Sequence, residues 1–586
     1  GRSSTIAGYL PESVPGFGAI VQAVHEEGAP IFAQLEHSGR SAVGLYARTA
    51  PWAPSAIPWA IGAAIPHVMT HSDIEEIVQA FRQGARHALQ AGFDGLEVHL
   101  GHGHLLNQFL SPISNARGDE YGGSEVNRLR ISLEVVRAVR DEVGPGMPLG
   151  IRISADEFLP GGLDLEDMAR ITRTIVDAVP LQFVNVSHSH YHASLSLATQ
   201  MADMSFPSAP FLHLPRRIKE VVPELPVFAI GRIDTLQIAD RVVAEGIADM
   251  VGMTRAHIAD PQIVRKARDN RADEIRPCVA CNQGCIGMVE LNVPITCLVN
   301  PEVGREADWG SGTWTRAAHP ARVLVVGGGP AGLAAARAAA LCGHRVELWE
   351  RSSGLGGQLR LAAGLRNRER LGLAIAYFAD ELSRLDVNVR LRTTATPDLI
   401  HDFDQVIVAT GSQPHPLPID GLGNVVALTD AAAAPERLGA HVAIKDLDGG
   451  WPAAALAEHL AALGKRVSLV TPLGGPFSAI TVYSRLALTK RLGELKVELR
   501  PLRRVLRADG DTLILADVIT GSEEPLHGVT DVVSAGELVA DAALADVLSA
   551  NGVSVEVVGD AFAPRTALDA IFEGYRAGRK VIPSAQ

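Results

Sequence analysis

The chain has 586 residues and a formal net charge of −13, and this length predicts about three to five domains, or fewer if one of them is a large barrel. The acidic balance argues against a nucleic-acid partner, because proteins that neutralise backbone phosphates carry a basic excess. No uninterrupted apolar run reaches the ~18–20 residues that a membrane-spanning helix needs, and no secretory leader opens the chain, so we expect a cytoplasmic protein without a membrane partner.

The first 270 residues alternate short apolar runs with longer amphipathic stretches. They predict strands at 31–36, 95–100, 149–154, 182–187, 227–231 and 250–253, and helices over 17–27, 73–91, 127–143 and 165–179. Nearly all-apolar strands are typical of a parallel sheet buried on both faces, and their alternation with helices predicts an α/β barrel or a doubly wound sheet. If the fold is a (β/α)8 barrel, we expect its first two strands to precede residue 1.

Histidines cluster after two of these strands. The candidates for catalysis are His99, His102, His104, His190 and Tyr191. Because barrels carry reactive groups at the C-terminal ends of their strands, the clusters favour a site in which histidines bind a substrate or relay protons. Purely structural histidines are one alternative. A metal site is another, although neither a His-Glu-x-x-His spacing nor an evident carboxylate completes it.

Polar residues on other strands are candidates for holding a flavin. Gln34 and Arg152 lie on predicted strands, and an arginine beside the pyrimidine edge would stabilise negative charge on a reduced ring. Gly231 with Arg232, and Thr254 with Arg255, follow the last two strands, where barrels commonly bind phosphate. The alternative for each arginine is a surface or packing role.

Four of the five cysteines lie within twenty residues, at Cys278, Cys281, Cys285 and Cys297. Four thiolates from one compact loop match the ligation of a 4Fe-4S cluster. A tetrahedral zinc site is the alternative, although zinc ribbons usually pair two Cys-x2-Cys knuckles; free thiols are a third reading. The fifth, Cys342, is predicted to be a small core residue.

A glycine-rich turn, Gly327-Gly-Gly-Pro-Ala-Gly332, joins a predicted strand to an alanine-rich helix. Such a turn lets the backbone approach a pyrophosphate at the helix N-terminus. Glu350 ends the next strand about twenty residues later, where a carboxylate binds ribose hydroxyls. Gly329, Gln358 and Asp560 complete the candidate dinucleotide site. The alternative is a tight turn without a ligand.

A second α/β unit is predicted over 441–524, inserted between the two parts of the first at 321–440 and 525–586. Asp446, Asp448 and Trp451 stand where its dinucleotide fingerprint would lie, and carboxylates repel a pyrophosphate. We therefore interpret this turn as degenerate and kept for packing, with a working NAD(P)H site as the alternative.

Several motifs recur in an order that resembles a known family. Gln34-Leu-Glu-His-Ser-Gly-Arg40 is followed by His99-x2-His102-Gly-x-Leu-Leu-Asn-Gln-Phe-Leu-Ser-Pro112 and by Asn115-x-Arg-x-Asp-x-Tyr-Gly-Gly123, then by the cysteine loop and the glycine-rich turn. Over essentially its whole length the chain resembles the iron–sulfur flavoprotein branch of the old yellow enzyme superfamily, which includes 2,4-dienoyl-CoA reductase and trimethylamine dehydrogenase. The resemblance implies an FMN-type (β/α)8 TIM barrel over 1–270, a 4Fe-4S loop and linker over 271–320, and a Rossmann-like FAD/NAD(P)-binding domain with an inserted second α/β unit.

The resemblance also implies roles for single residues. Gln34 and Arg152 would contact the FMN ring, and His99 and His102 would anchor the substrate. Gly231, Arg232, Thr254 and Arg255 would bind the FMN phosphate; Gly327, Gly329, Gly332, Glu350 and Asp560 would bind FAD or ADP; the four clustered cysteines would hold the iron. Use of NAD(P)H stays open.

Two departures from the family pattern bear on the reaction. His104 stands where the reductases carry a proton-donating tyrosine. The segment 445–452 replaces the NAD(P)H fingerprint, which is similar to the amine dehydrogenases that pass electrons to a protein acceptor. The aromatic cage of a trimethylammonium site is not evident, because Met288 and Val289 lie at the matching place.

We therefore expect oxidation of a small N-methylated amine or amino acid, with hydride passing to FMN and electrons leaving through the cluster to an external acceptor such as an electron-transfer protein. His99, His102, His190 and Tyr191 would position the substrate, and one of them would act as base. The alternative is NAD(P)H-dependent reduction of an activated C=C bond, with His104 or Tyr191 as proton donor. A non-catalytic electron-transfer scaffold is a third reading. We expect a monomer or a homo-oligomer.

Overall fold

Residues 6–42, 48–400 and 402–581 are described by the computed structural model. The chain divides into two units, which are described separately. The first contains residues 1–202 and 206–254, and the second contains residues 203–205 and 255–586. The cysteine loop therefore belongs to the second unit.

The first unit is built from alternating strands and helices. Its strands are β1 (Phe32–Leu35), β2 (Trp52–Ala53), β3 (His67–Val68), β4 (Gly95–Leu100), β5 (Leu149–Ser154), β6 (Phe183–Ser187), β7 (Val227–Ala229) and β8 (Met250–Val251). Its helices are α1 (Val14–Glu26), α2 (His71–Ala91), α3 (Leu105–Leu110), α4 (Glu125–Val143), α5 (Leu165–Ala178), α6 (Leu195–Gln200), α7 (His213–Val221) and α8 (Leu236–Ala244). All six predicted strands are present and pair in parallel in the order β1-β4-β5-β6-β7-β8, which confirms the predicted barrel-type α/β fold.

Helix α2 begins two residues earlier than the apolar pattern predicts, and its cap explains why. The Thr70 hydroxyl accepts a hydrogen bond from the Asp73 backbone amide at 3.2 Å, and the Asp73 carboxylate accepts one from the Thr70 amide at 2.7 Å. This reciprocal capping box satisfies two amides that the helix itself leaves without partners. The helix ends at Gly92, whose φ of 87° suits a residue without a Cβ.

Aromatic side chains pack over glycines on neighbouring strands of the six-stranded sheet. The Phe183 and Phe228 rings stack with centroids 4.8 Å apart, and Phe32 lies 5.8 Å from Phe183. A Cβ on Gly95 would lie 2.5 Å from the Phe32 ring, and one on Gly150 would lie 2.4 Å from the Phe183 ring. Glycine is required at both positions because close-packed interiors leave no room for another methyl group.

The second unit contains the remaining elements. Its helices are α9 (Thr254–Ala259), which starts at the unit boundary, α10 (Ile263–Arg268), α11 (Ile286–Glu290), α12 (Glu306–Trp309), α13 (Pro330–Leu341), α14 (Gly357–Ala363), α15 (Leu371–Arg384), α16 (Leu428–Ala433), α17 (Trp451–Ala462), α18 (Val482–Glu494), α19 (Ala543–Ala550) and α20 (Ala567–Arg579). Its strands are β9 (Arg322–Val326), β10 (Arg345–Glu350), β11 (Asn388–Leu391), β12 (Gln405–Val408), β13 (Ser412–Pro414), β14 (Val426–Ala427), β15 (His441–Asp446), β16 (Arg466–Val470), β17 (Glu498–Arg500), β18 (Arg503–Asp509), β19 (Thr512–Asp517), β20 (Glu523–Leu526), β21 (Asp531–Ala535), β22 (Leu538–Ala540) and β23 (Val555–Val557).

Two parallel five-stranded sheets organise this unit. The first has the order β11-β10-β9-β12-β23, in which the central strand leads into the glycine-rich turn, as in dinucleotide-binding folds. The second has the order β14-β21-β15-β16-β17, and the antiparallel strands β18 to β20 form a separate sheet. Strands β14 and β21 of the second sheet lie outside residues 441–524, the range predicted for the inserted unit. Strand β14 has only two residues, too few to show a period, and β21 lies in the range 525–586 that was predicted to belong to the first α/β unit.

Helices α13 and α20 pack against each other at backbone distance. A Cβ on Gly574 would lie 1.9 Å from the Ala331 carbonyl oxygen, and one on Gly578 would lie 2.3 Å from the Ala335 carbonyl oxygen. The alanine-rich sequence of α13 allows the same close approach, since Ala334, Ala335 and most of its neighbours are buried.

Among the described residues, no helix combines the length and the apolar character needed to cross a membrane.

Candidate functional site

Two buried histidines lie at the end of strand β4 in the first unit. His99 lies near the end of β4, and its Nε2 is 3.1 Å from Nδ1 of His102. The backbone of His102 adopts the left-handed conformation with φ 58°, and its amide donates to the Ser154 hydroxyl at 2.8 Å. Its Nε2 shares a hydrogen bond with the Ser187 hydroxyl. Ser154 at the end of β5 therefore holds the backbone of His102, and Ser187 at the end of β6 holds its ring.

The other three predicted catalytic residues lie beside this pair. The His104 ring centroid is 5.1 Å from that of His99 and 5.6 Å from that of Tyr191. The Tyr191 amide donates to the His102 carbonyl oxygen at 2.9 Å, and His190 Nδ1 lies 3.1 Å from the Tyr191 carbonyl oxygen. The structure thus brings all five predicted residues to one place.

A carboxylate that was not predicted, that of Glu36, also lies at this cluster. Oε1 of Glu36 lies 3.3 Å from Nδ1 of His104. Glu36 directly follows β1, only two residues after Gln34, and that position at a strand end was the one available signal.

Burial keeps these histidines neutral. It lowers the pKa of both His99 and His102 well below the usual 6.5, and the Arg152 guanidinium contributes to each shift. Burial, followed by the charge of Arg40, lowers the pKa of His190 to about 3. Neutral imidazoles both donate and accept hydrogen bonds, so these rings can hold a carboxylate, a carbonyl or an amine at neutral pH.

The neutral state of His190 predicts a loss of stability in acid. Its folded pKa lies below the value of about 6.5 in an unfolded chain, so its contribution is complete above pH 6.5 and is lost as the pH falls towards 3. Between pH 7.5 and pH 5 this costs about 2 kcal/mol of unfolding free energy. We expect His190→Asn to reduce the pH dependence by about that amount in calorimetric unfolding at the two pH values. His257→Asn, at an exposed histidine, is the control; equal pH dependence in wild type and H190N would refute the prediction.

The candidate flavin contacts form a polar row across neighbouring strands. The Glu97 carboxylate accepts hydrogen bonds from Gln34 Nε2 at 2.5 Å and from Asn185 Nδ2 at 2.8 Å. Arg152 is paired in register with His99 on the adjacent strand, and its buried Nε has no hydrogen-bond partner among the described residues. Because a buried donor without a partner costs free energy, this atom fits a bound group that offers acceptors, as a flavin pyrimidine edge does.

The candidate phosphate residues are not all placed in one unit. Gly231 and Arg232 follow β7, and Thr254 follows the adjacent β8. Arg232 is buried, donates to the Phe206 carbonyl oxygen and lies 3.7 Å from the Asp234 carboxylate, so protein groups already engage its guanidinium. Arg255 belongs to the second unit.

The cysteine loop is shaped by unusual backbone conformations. Cys281 is buried and is flanked by Ala280 and Asn282, which have φ values of 53° and 60°. A Cβ on Gly284 would lie 2.9 Å from Cα of Cys297, so only glycine lets the loop approach the fourth cysteine. Arg255 Nη1 donates to Asn282 Oδ1 at 2.7 Å and helps to hold the loop.

The four thiols lie close enough to influence one another, and none forms a disulfide. Burial raises the pKa of Cys281 to about 12, and repulsion from Cys285 and Cys278 adds to the shift. Burial likewise raises the pKa of Cys297, with contributions from the other three thiols. Burial also raises the pKa of Cys285, and a positively charged group such as iron or zinc would stabilise the thiolate forms of these cysteines.

Two arginines beside this loop were not predicted. Arg370 Nη2 donates to the Cys278 carbonyl oxygen at 2.8 Å. Arg368 is only 4% exposed, interacts electrostatically with Cys281, and stacks on Trp451 with its guanidinium carbon 3.9 Å from the ring centroid. The alternating sequence Arg-Asn-Arg-Glu-Arg at 366–370 was the only signal.

The glycine-rich turn has the geometry of a dinucleotide site. A Cβ on Gly327 would lie 2.3 Å from the Ala409 carbonyl oxygen, and one on Gly332 would lie 1.9 Å from the Gly327 carbonyl oxygen. Glu350 ends β10, and its carboxylate accepts a hydrogen bond from the Gly328 amide at 2.7 Å. The acid and the turn are therefore adjacent, as ribose and pyrophosphate recognition requires.

A cavity of about 1830 Å³ opens beside this turn. Its lining includes Gly327, Gly329, Glu350, Gln358 and Asp560 from the predicted site. Gln358 donates to the Ser412 hydroxyl at 3.0 Å, and this hydroxyl donates to the Asp560 carboxylate at 3.3 Å. The volume exceeds the 300–1,000 Å³ typical of a single small-ligand pocket, so it has room for a dinucleotide.

The second turn satisfies its own backbone amides. The Asp446 carboxylate accepts from the Gly449 amide at 3.0 Å, and the Asp448 carboxylate accepts from the Gly450 amide at 2.8 Å. Burial raises the pKa of Asp446 to about 6, and the charge of Asp448 adds to the shift. These two amides precede helix α17, where a dinucleotide fold would present them to a pyrophosphate.

Comparison with known proteins gives matches over both units. Residues 4–274 match the NADH:flavin oxidoreductase / NADH oxidase family, and residues 321–572 match pyridine nucleotide-disulphide oxidoreductases. The chain is 34% identical to the NADH oxidase of Thermoanaerobacter brockii, over 96% of this chain and 86% of the relative. It is 35% identical to the N,N-dimethylglycine/sarcosine dehydrogenase of Chromohalobacter salexigens, over 87% of this chain and 76% of the relative. Histamine dehydrogenase from Rhizobium sp. 4-9 is similar in structure, with a TM-score of 0.90 and 27% identity over 98% of this chain and 86% of that chain.

Proposed function

Because the chain belongs to the NADH:flavin oxidoreductase / NADH oxidase family, in the predicted branch of the old yellow enzyme superfamily, and is a flavin-dependent oxidoreductase, we propose that it oxidises a small N-methylated amine or amino acid. Cys278, Cys281, Cys285 and Cys297 would hold an iron–sulfur cluster, which would pass the electrons to an external carrier. The similarity to a dimethylglycine/sarcosine dehydrogenase and to a histamine dehydrogenase supports this substrate class.

The proposed direction of electron flow, from the substrate to an external carrier, rests on the structure of the second turn. Its amides at Gly449 and Gly450 are held by the carboxylates of Asp446 and Asp448. An incoming pyrophosphate would have to displace both carboxylates and would meet their negative charge. This turn therefore disfavours a nicotinamide dinucleotide, and it favours an electron acceptor that binds elsewhere.

In the proposed reaction, the histidines of the first unit bind the substrate and remove a proton from it. FMN would be held by residues that include Gln34 and Arg152 and would supply the hydride acceptor. His99 and His102 donate hydrogen bonds to the substrate, because their neutral rings retain N–H groups at pH 7. His104 takes the proton from the substrate ammonium, and the Glu36 carboxylate at 3.3 Å stabilises the imidazolium that forms. Oxidation next to nitrogen requires the amine lone pair, so this deprotonation prepares the substrate.

A second candidate function is NAD(P)H-dependent reduction of an activated C=C bond. The 34% identity to an NADH oxidase over nearly the whole chain favours it, as does a cavity that exceeds the volume typical of one small ligand. In that reaction His99 and His102 polarise a carbonyl, and His104 or Tyr191 donates the proton. The degenerate second turn weighs against it.

Anaerobic flavin reduction separates the two candidates. We expect sarcosine or N,N-dimethylglycine to bleach the visible flavin band of the holoenzyme in a stopped-flow experiment, and NADH or NADPH to leave it unchanged. His102→Asn should slow bleaching by the substrate by about 10²-fold or more, the scale of a lost active-site hydrogen bond or proton transfer.

The matched control is Asp448→Asn, which changes only the second turn and should not alter the rate with the substrate. Rapid bleaching by NADH or NADPH in the absence of any amine would overturn the proposed direction. It would favour the reductase instead.

A further inference from the structure

A buried guanidinium lies beside the cysteine loop in the second unit. Arg368 is 4% exposed. Burial raises the pKa of the Cys281 thiol, and the positive charge of Arg368 opposes that rise. Two residues further along the chain, Arg370 Nη2 donates a hydrogen bond to the Cys278 carbonyl oxygen at 2.8 Å. The segment that carries both arginines therefore lies against two of the four cysteines.

An aromatic ring holds this guanidinium in position. The guanidinium carbon of Arg368 lies 3.9 Å from the centroid of the Trp451 ring, and Trp451 is the first residue of helix α17, directly after the second turn. A cation–π contact is strongest where water is excluded. Both side chains line the cavity beside the glycine-rich turn, so Arg368 borders the cysteine loop and this cavity at once.

The charged groups around Arg368 leave its positive charge available to the loop. Asp203 and Glu458 attract the Arg368 guanidinium, and Arg491 repels it. Glu458 is already paired, because its two carboxylate oxygens accept hydrogen bonds from Arg491 Nε at 2.7 Å and Nη2 at 3.1 Å. Asp203 is therefore the main counter-charge of Arg368.

A second guanidinium acts on the same loop in the same sense. Burial raises the pKa of Cys285, and the charge of Arg255 opposes this rise. Arg255 is also a candidate for binding the FMN phosphate, and its Nη1 donates to Asn282 Oδ1, so its charge serves other contacts as well. Arg368 has no other proposed role.

A fixed positive charge at this place favours reduction of a cluster. A 4Fe-4S cluster on four thiolates is anionic, and one-electron reduction makes it more negative, so a nearby cation stabilises the reduced form more than the oxidised form. Burial lowers the pKa of Arg368, but a guanidinium stays protonated in proteins. The charge of Arg368 is therefore permanent.

We propose that Arg368 raises the reduction potential of the iron–sulfur cluster that the cysteine loop would hold, and that Trp451 fixes the guanidinium for this role. This inference rests on the cluster of the proposed function. Arg368 acts through its charge and binds no iron, so it is a positioning residue. It favours the passage of electrons from the reduced flavin towards the external carrier, because a higher potential makes the cluster easier to reduce.

Redox titration of the anaerobic holoenzyme, followed by EPR of the reduced cluster, measures this potential. In Arg368→Gln we expect the equilibrium constant for one-electron reduction to fall about tenfold, which corresponds to a fall of about 59 mV in potential. Arg368→Lys keeps the positive charge and should recover most of that loss. Trp451→Leu keeps the guanidinium but removes the ring that holds it, and should lower the potential by less than R368Q does.

The matched control is Arg366→Gln, which removes the same charge from an exposed position of the same segment and should leave the potential unchanged. Asp203→Asn removes the counter-charge of Arg368 and should raise the potential, a change opposite in sign to that of R368Q. Iron content is measured in every sample, so that a shift in potential is distinguished from a loss of the cluster.

The outcomes separate this inference from the function on which it rests. A wild type without iron would overturn the proposed cluster itself. With iron present, an unchanged potential in R368Q, or a loss in R368K as large as in R368Q, would overturn the role of Arg368 alone. If R368Q loses its iron, D203N decides, and an unchanged potential in that variant would overturn the inference.

Discussion

Replacing Cys281 with alanine should remove the iron from the purified protein. Cys281 is the buried member of the four, and the left-handed residues Ala280 and Asn282 on either side fix its direction. A cubane cluster uses four thiolates, and no other cysteine in the sequence lies near enough along the chain to replace this one, since the fifth is Cys342.

We expect the iron content to fall from about four atoms per chain to less than one in protein prepared without oxygen. Reduction of an external one-electron acceptor should be lost with it. Bleaching of the flavin by the substrate should persist, because the proposed flavin contacts Gln34 and Arg152 lie in the first unit. Iron analysis and stopped-flow absorbance measure the two effects.

The control for this prediction is Cys342→Ala. Cys342 is also buried, at 8% exposure, but it caps helix α13 and lies outside the loop. Iron content should not change in C342A. Zinc in the wild type, or a full complement of iron in C281A, would contradict the assignment of the loop.

Gly574→Ala should unfold or severely destabilise the second unit. The new Cβ would lie 1.9 Å from the Ala331 carbonyl oxygen and within 3.0 Å of two further backbone atoms of that residue. Backbone cannot turn away as a flexible side chain can, so helices α13 and α20 must separate. Overpacking typically costs 1–3 kcal/mol of unfolding free energy and occasionally more. We expect a loss of about 3 kcal/mol or more here, because the new Cβ clashes with backbone atoms.

The measurement is the unfolding midpoint together with the content of bound FAD or ADP after gel filtration. Helix α13 begins at the glycine-rich turn, so its displacement should also release the dinucleotide. Gly372→Ala is the matched control, because a Cβ at Gly372 in helix α15 meets nothing within 4 Å and alanine favours helix. An unchanged midpoint in G574A would show that the two helices can part at little cost.

Periodic apolar patterns and spaced motifs were sufficient to predict the fold. The six strands of the parallel sheet in the first unit and the strand before Gly327 are short, mostly apolar runs, and the structure confirms them. The start of α2 was predicted two residues late, because the pattern marks the buried face and not the cap at Thr70. Strand β14 has only two residues, Val426–Ala427, which are too few to show the alternating apolar pattern from which a strand is predicted.

The site was predictable where its chemistry is local in sequence and not where it depends on packing. The histidines and cysteines lie in short segments whose spacing is visible, and their roles stay predictions. Glu36 meets His104 across 68 positions of the chain, and Arg368 meets Trp451 across 83. Contacts of that separation are set by strand order and helix packing, which the sequence motifs do not specify.

The self-capped second turn bears on any attempt to restore a nicotinamide site to this scaffold. Each carboxylate accepts a hydrogen bond from a different amide, as a phosphate oxygen would in a dinucleotide site. If only Asp446 is replaced, Asp448 still occupies its amide and competes with a phosphate. The same holds for Asp446 if only Asp448 is replaced. Ligand affinity would therefore emerge only when both are replaced together, and stepwise redesign would pass through intermediates that have lost a stabilising contact and gained no binding.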